Sequence, residues 1–517
     1  MEKKTIIAVV LSVAIIILWQ VFFVKPPPPK PVTAQRQAPA VNAAAGEAPA
    51  PEPGAAEGIA PFEAPRAEQI VRVATPLYEA EFSSRGGTVR RWTLKDYKDP
   101  DGRGVDLLAK GGPYEALALG WQDDFSVSSM NFSVQGEDLS LSAERPAGSL
   151  VFTFAKGDVS IRRTYTFHHD TYTVDIKDEV NGVPEYQITL GPDFGIHKKQ
   201  ERYSHVGPAF QIGTELEEVK PKHLKEGPKV FPGQEIKWAA MEDKYFCAAL
   251  VPAAPVAEGK VWMLHGLPAV SLEGAPGAHS LTLYAGPKSQ DYLGEAGADL
   301  KNIVNFGFFS ILARPIFWLL KWLYGIVGNY GWSIIILTLI LRIPFIPLVN
   351  KGQRSMRRLQ QVQPLMQQIR EQYKNDPKRM QAEMMGLYKK HKVNPLGGCL
   401  PMIIQIPFFF ALYKVLLISI ELREAPWAFW IHDLSAKDPY YILPIVMGVS
   451  MVVQQKMTPS AGDPKQQKLM MFMPVIFTFL FLNFPSGLVL YWLVNNLLSI
   501  SQQLYVNLKK TPAPAQS

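Results

Sequence analysis

Residues 332–349 read WSIIILTLILRIPFIPLV, a run of eighteen residues with a single charge, Arg342. A membrane-spanning helix takes about 17–25 such residues. The arginine falls about ten residues into the run, roughly 15 Å along a helix that rises 1.5 Å per residue, and so near mid-bilayer. A guanidinium at that depth costs about 2.5–3.5 kcal/mol on insertion scales. Two readings follow. Either the side chain snorkels to the nearer interface, or the charge has a function that outweighs its cost.

The rest of the chain divides in character. Residues 25–300 are soluble in composition, whereas 331–506 hold long apolar stretches, so the mean hydropathy near zero averages two unlike halves. The net charge of +7 fits nucleic acid or the basic cytoplasmic loops of a membrane protein; clustering of the basic residues between apolar runs favours the loops. Cys247 and Cys399 fall one in each half, which argues against a structural disulfide, and no Cys or His set has metal-ligand spacing. The lysines at 3 and 4 precede an uncharged apolar run at 5–24, expected to be an uncleaved signal anchor, residues 1–24. Residues 25–67 are a Pro/Ala-rich tether without hydrophobic period.

Between 68 and 300, short segments alternate apolar and polar residues, among them 71–73, 78–82, 149–154, 160–167 and 171–176, with Gly, Pro and Asp between them. That pattern predicts an antiparallel β-sandwich domain. Residues 301–330 are apolar and aromatic but are interrupted by Arg314-Pro315 and carry Lys321, which predicts an amphipathic helix lying in the interface. Further spans are expected near 332–350, 399–420, 441–456, 470–485 and 488–506, making six with the N-terminal one. The expected class is a polytopic α-helical membrane protein with a large all-β outer domain.

Orientation follows from loop charge. Residues 351–392 carry eleven Lys/Arg against Glu371, Asp376 and Glu383, a net +8, which places this loop in the cytoplasm and 25–330 outside. Six spans put both termini inside. Within the loop, Leu359, Val362, Met366, Ile369 and Tyr373 follow a 3-4 spacing that Met380, Met384 and Leu387 continue. Asp376 and Pro377 stand as N-cap and first helical residue of the second segment, so a pair of antiparallel helices is expected, with Pro364 delaying the first.

Catalytic signatures are lacking: the chain has no Gly-x-Ser-x-Gly, no His-Glu-x-x-His and no phosphate loop, and the spans hold no Asp or Glu. His168-His169-Asp170 reads as a surface turn in the β region. The spans do hold uncharged polar residues: Thr338 one turn before Arg342, then Gln405, Gln455, Thr478, Asn483, Asn495, Asn496, Ser499 and Gln502. A cation with polar neighbours and no fixed counter-ion suggests a hydrated cavity that receives an acidic visitor. Prolines at 344, 347, 401, 407, 444, 474 and 485 would kink or shorten the spans. Aromatic runs such as 408–410 read as lipid-facing or core residues, some forming a slide for a passing helix. A transporter or channel is the rival class; no repeated broken-helix halves support it. A membrane-anchored sugar enzyme would leave Arg342 and the +8 loop unexplained.

Four motifs carry a resemblance: Val393-Asn394-Pro395-Leu396-Gly397-Gly398-Cys399, Trp430-Ile431-His432-Asp433-Leu434, Asp438-Pro439-Tyr440-Tyr441-Ile442-Leu443-Pro444 and Phe484-Pro485-Ser486-Gly487-Leu488. Over 330–506 the chain closely resembles the YidC/Oxa/Alb family of membrane protein insertases, and its anchor, tether and outer domain resemble the Gram-negative form. The resemblance implies a multi-pass inner-membrane protein whose periplasmic domain is a β-supersandwich and whose five-helix core surrounds a hydrophilic groove. It places Arg342, Thr338, Gln455, Tyr491 and Trp492 at the groove; the polar residues Gln405 and Asn495 of the spans are expected there too, and Phe408, Phe409, Phe477, Leu480 and Phe481 along a hydrophobic slide. The loop with Leu359, Met366, Ile369, Tyr373, Asp376, Pro377, Met384 and Leu387 corresponds to a cytoplasmic hairpin needed for insertion. Implied partners are nascent membrane proteins, the lipid bilayer, the Sec translocon, the ribosome and the signal recognition particle receptor, with no cofactor and no nucleic-acid specificity. The tail at 509–517 has only Lys509 and Lys510, which departs from the long basic tails of ribosome-binding members.

Overall fold

The computed structural model describes residues 67–508, except 100, 109–115, 198–203, 265, 392, 394–399 and 458–463. The expected anchor at 1–24, the tether up to its last residue, most of the 393–399 motif and the tail at 509–517 lie outside the described residues.

The alternating segments of 68–300 form β structure because their apolar side chains recur with the two-residue period of a strand. A nine-stranded antiparallel sheet runs in the order Glu215–Glu218, Gly207–Ile212, Ile236–Glu242, Phe246–Pro252, Gly277–Pro287, Thr173–Asn181, Val159–His168, Ala147–Lys156, Ser133–Gln135. Two five-stranded sheets accompany it. One is ordered Gly104–Asp106, Thr88–Lys98, Tyr78–Ser83, Ile70–Ala74, Leu139–Ser140, the other Lys229–Pro232, Glu258–Leu264, Leu267–Gly274, Tyr186–Gly191, Ala118–Gly120. Aromatics join the layers. Trp92 stacks on Tyr78 with centroids 4.3 Å apart, and its Nε1 donates to the carbonyl of Ala285 in the long sheet at 3.1 Å. Phe82 meets Tyr165 and Phe167 at 4.8 and 5.2 Å, and Phe210 meets Phe231 of the third sheet at 4.8 Å.

The same period puts a charge inside. In Val159–His168 the inward positions are Ile161, Arg163, Tyr165 and Phe167. Register sets Arg163 opposite Asp178, itself inward in Thr173–Asn181. The two form a bidentate pair at 2.7 and 2.8 Å with both residues 0% exposed. Arg163 also donates to the Leu117 carbonyl, and the Tyr186 hydroxyl donates to Asp178 at 2.8 Å. Every formal charge in this buried set has its partner, the condition under which burial is tolerable.

Beyond the sheets, a short helix α1 (Gln290–Glu295) leads to α2 (Ser310–Val327). The expected break at Arg314-Pro315 does not occur. Pro315 removes one helical bond at a cost of about 3 kcal/mol. Burial of Ile316, Phe317, Leu320 and Leu323 outweighs it, at about 1.5–3 kcal/mol each. With the 3₁₀ turn before it the helical run reaches Gly307–Val327, long and apolar enough by length and composition to cross a membrane, although an interrupted, interfacial helix is expected from the sequence. Gly328, at φ +68°, closes the helix by donating to the Tyr324 carbonyl, and Asn329 caps the next by accepting from the Trp332 N–H.

That next helix is α3 (Tyr330–Arg342), followed by the 3₁₀ turn Ile343–Phe345, α4 (Ile346–Gln361), α5 (Gln363–Gln372) and α6 (Pro377–Lys390). Then come α7 (Leu400–Ile418), α8 (Ile442–Met457), α9 (Pro464–Phe481) and α10 (Ser486–Leu508). Among the described residues, only Gly307–Val327 and Tyr330–Gln361 pass as spans by length and composition. The apolar stretches Ile403–Ile418, Ile442–Met457 and Met471–Phe481 are shorter, so helix length alone does not reproduce the expected six spans. The loop 351–392 also differs from the expected helix pair. Its first segment continues directly out of the α3 run as α4, and Pro364, which has no N–H to give, restarts the helix as α5.

The resemblance motifs at 430–434, 438–444 and 484–488 act as packing devices. Asp438 is fully buried; Oδ1 accepts from Trp430 Nε1 and the Tyr440 N–H, and Oδ2 from the Leu443 N–H at the start of α8. Ser486 and Gly487 donate backbone bonds to the carbonyls of Ala436 and Leu434, and a Cβ at Gly487 would lie 3.2 Å from the latter. Together they tie the ends of α8 and α10 into one knot.

The helical part is joined to the sheets through residues 421–424. Arg423 donates to the Lys98 carbonyl at 2.6 Å and lies over the rings of Tyr245 and Phe246, while the Lys98 N–H donates to Glu424. Beside this contact, Glu421 Oε1 is covered and has no hydrogen-bond partner among the described residues. Burial lifts its carboxyl to about 7, with Asp291 adding to the rise and Lys321 opposing it.

Two outcomes are expected. Asp178→Ala leaves Arg163 buried and unpaired and costs about 3–5 kcal/mol, read as an earlier denaturant midpoint of the β-domain tryptophan fluorescence. For Glu421, the unfolded carboxyl ionises near its ordinary value while the folded one keeps its proton to about 7. Its contribution to stability therefore falls as pH rises across that window. Glu421→Gln removes this component, so the melting-temperature difference between variant and parent grows in the variant's favour from pH 5 to pH 8; a constant difference refutes it.

Candidate functional site

Arg342 is the last residue of α3, on the face that buries Ile334, Leu337 and Thr338. It is half-buried and points toward α10. There, Asn495, Ser499 and Gln502 recur at the i, i+4, i+7 spacing that puts three side chains on one helical stripe. Arg342 Nη1 donates to Asn495 Oδ1 at 2.6 Å, and Nη2 donates to Ser499 Oγ at 2.9 Å and Gln502 Oε1 at 3.2 Å. Ser499 in turn donates to the Asn495 carbonyl at 2.8 Å.

All three acceptors are neutral. No carboxylate among the described residues pairs with Arg342, and α3, α7, α8, α9 and α10 contain no Asp or Glu. Hydrogen bonds to a charged donor contribute about 1.5–3 kcal/mol each, enough to hold the cation against the insertion cost of about 2.5–3.5 kcal/mol. They leave its formal charge uncancelled. A guanidinium has five N–H donors, and two of these make no bond to the described residues. The arrangement can therefore accept an anion without first breaking an ion pair.

Of the other expected groove residues, Asn495 touches Arg342, and Tyr491 is half-buried one turn before Asn495 on α10. Thr338 is buried, and its hydroxyl donates to the Ile334 carbonyl of its own helix. Gln405 and Gln455 are half-buried and take no part in the Arg342 hydrogen-bond set. Trp492 turns to an aromatic cluster, meeting Phe481, Phe409 and Phe477 at 4.8, 4.9 and 6.0 Å. Phe408 instead meets Phe345 in the turn after Arg342, at 5.1 Å, and Leu480 faces outward. Ile403, Phe472, Val475, Ile476 and Phe479 are exposed with it, as suits a lipid-facing surface. Ser499 and Gln502 were visible as polar residues of a span; their helical stripe is the signal that joins them to Asn495. Asn350, which Gln502 also contacts, had no such signal.

The basic loop holds a small core of its own. Leu359, Val362, Met366 and Val393 are buried together, with Met356, Met384, Leu387 and Tyr388 packed on them. Ile369 is half-buried, and Tyr373 lies under the Arg379 guanidinium at 5.3 Å. Asp376 Oδ1 accepts the Arg379 N–H at 3.1 Å, with Pro377 beginning α6. Among the described residues no cluster of His, Cys, Asp or Glu could hold a metal.

Residues 322–513 match the family described as 60Kd inner membrane protein, and residues 70–319 match the YidC periplasmic domain. The membrane protein insertase YidC of Syntrophus aciditrophicus (strain SB) is 40% identical, covering 98% of this chain and 99% of that protein. The membrane protein insertase YidC of Geobacter sulfurreducens is 41% identical, with 100% of each chain covered. Among solved structures, an active YidC insertase with its first transmembrane domain resolved covers 84% of this chain and 92% of its own, at 21% identity and a TM-score of 0.38. A galactose mutarotase related enzyme from Lactobacillus acidophilus covers 42% and 97%, at 11% identity and a TM-score of 0.28. Likenesses that slight carry no argument beyond themselves. The two family matches and the full-length relatives do: the chain belongs to the YidC family of membrane protein insertases, inner-membrane proteins with a periplasmic domain and not enzymes.

Proposed function

We propose that Arg342 is a transient docking point for acidic groups of an incoming membrane protein, and that insertion proceeds through a polar groove between α3 and α10. One observation carries this reading: a cation among apolar helices, held by neutral acceptors and not by a carboxylate. A hydrophilic segment moving from the cytoplasm into hydrocarbon loses its hydration, and a charge loses most. A fixed cation and a polar stripe replace part of that hydration and lower the barrier. The substrate's apolar helix then leaves past the aromatic cluster at Trp492 and the exposed faces of α7 and α9 into lipid.

In this reading the basic loop 351–392 lies in the cytoplasm, where it recruits or gates substrate, and 68–300 lies in the periplasm. The remaining helices complete a multi-pass topology of six spans, with α2 resting its exposed Trp318 and Trp322 in the interface. The protein works alone or beside the Sec translocon. The ribosome and the signal recognition particle receptor are further partners to test.

Complementation of insertase-depleted cells tests the charge. Arg342→Ala is expected to lower insertion of single-span substrates with acidic translocated tails by at least about tenfold, the equivalent of about 1.4 kcal/mol. Arg342→Lys, which keeps the charge but loses the fork, falls between. Equal insertion of acidic substrates by Arg342→Ala and the parent protein refutes the electrostatic role.

A further inference from the structure

We infer that Gln502 is a positioning residue that couples occupancy of Arg342 to the cytoplasmic hairpin. The inference rests on the docking role proposed for Arg342. The Gln502 amide is used at both ends. Its oxygen accepts from Arg342 Nη2 at 3.2 Å, and its nitrogen donates to the Ile346 carbonyl at 3.2 Å and to Asn350 Oδ1 at 2.9 Å. Ile346 and Asn350 are the first turn of α4, which runs on into the basic hairpin. One side chain of α10 thus bridges the cation and the base of the hairpin.

The bridge spans a weakened joint. Pro344 and Pro347 have no N–H to offer the carbonyls four residues before them, Ile340 and Ile343. Those carbonyls are met by tighter i+3 bonds, from the N–H groups of Ile343 and Ile346. A stretch of 3₁₀ geometry within a long helical run is a frequent hinge. Here it lies directly between Arg342 and α4, and Gln502 braces it from outside.

A carboxylate at Arg342 competes with the neutral acceptors and wins, because it adds a charge–charge attraction and a two-pronged fit to bonds that the guanidinium otherwise makes to uncharged oxygens. A side-on carboxylate pairs with Nε and Nη2 together, so it takes one of the two Nη2 hydrogens, and the longer bond, to Gln502 Oε1 at 3.2 Å against 2.9 Å to Ser499, is the one lost. A half-buried amide reorients to regain one, and its hold on Ile346 and Asn350 goes with it. Substrate arrival thereby releases the first turn of α4, and the hairpin swings about the Ile343–Phe345 joint. Before arrival, the same amide keeps Arg342 parked and the hairpin braced.

Limited trypsinolysis of the full chain in nanodiscs reads the hairpin through its Lys and Arg residues. The probes are a synthetic single-span peptide with an Asp-rich tail and its Asn-tailed twin. For the parent protein, the Asp-tailed peptide is expected to raise the hairpin cleavage rate about fivefold, the worth of one net hydrogen bond, and the Asn-tailed peptide to leave it unchanged. Gln502→Leu removes the brace, so cleavage is fast with or without peptide. Asn350→Ala, which spares the Arg342 contact, does the same. Gln502→Glu gives Arg342 a permanent carboxylate, so the Asp-tailed peptide no longer changes the rate. If Gln502→Leu and Asn350→Ala both respond to the Asp-tailed peptide as the parent does, the coupling is overturned. Arg342→Ala separates the two ideas: if it inserts acidic substrates normally in cells, the docking role fails. If it is defective while both brace variants still respond, only the coupling fails.

Discussion

The helical half of this protein is organised around a cation, Arg342, that no carboxylate among the described residues neutralises. Arg342 stands at the end of α3 beside helices with no carboxylate, and among the described residues its hydrogen bonds go to the Asn495, Ser499 and Gln502 stripe of α10. That constraint sets where α10 lies, since its polar stripe must face α3. The same helix turns Asn496 to Ser450 and Gln503 to the Met457 carbonyl, both on α8. Hydrogen bonds between helices matter here because hydrocarbon offers polar groups no alternative partner. The prolines after Arg342 then decide how the helix continues, since they replace ordinary helical bonds by the tighter turn that leads into α4.

The β half solves the opposite problem with the same residue type. Arg163 is buried more completely than Arg342, but Asp178 lies directly across the strand pair and takes its charge bidentately. A structural arginine is neutralised within the fold; the arginine of α3 is held but left charged. Cancelling the charge of Arg342 with a fixed carboxylate would remove the attraction that a docking point needs. Between the halves, Arg423 and Glu424 clasp the end of Thr88–Lys98, and Glu421 stays mostly protonated by burial below pH 7.

Much of this was legible along the chain. Alternation of apolar and polar residues announced the strands because a strand shows its two faces in turn. The spacing of Leu359, Val362 and Met366 announced the hairpin core, and Asp376-Pro377 announced a helix start. What periodicity could not reveal was pairing across strands: strand register sets Arg163 opposite Asp178 and turns both inward together. Pro315 misled for a related reason. A local rule puts a break there, and burial of four large side chains overrides it. The expected slide also divided, because Phe409, Phe477 and Phe481 gather on Trp492 while Leu480 faces outward.

The sequence by itself determined the two-part organisation, the excess of basic residues in 351–392, the family and the anomaly of a charge in an apolar run. These follow from composition and short-range spacing, which a linear chain displays directly. The tertiary structure alone decided what Arg342 touches and what Gln502 touches at its other end. Those contacts join residues about 150 positions apart, and their energy depends on distance and direction in space.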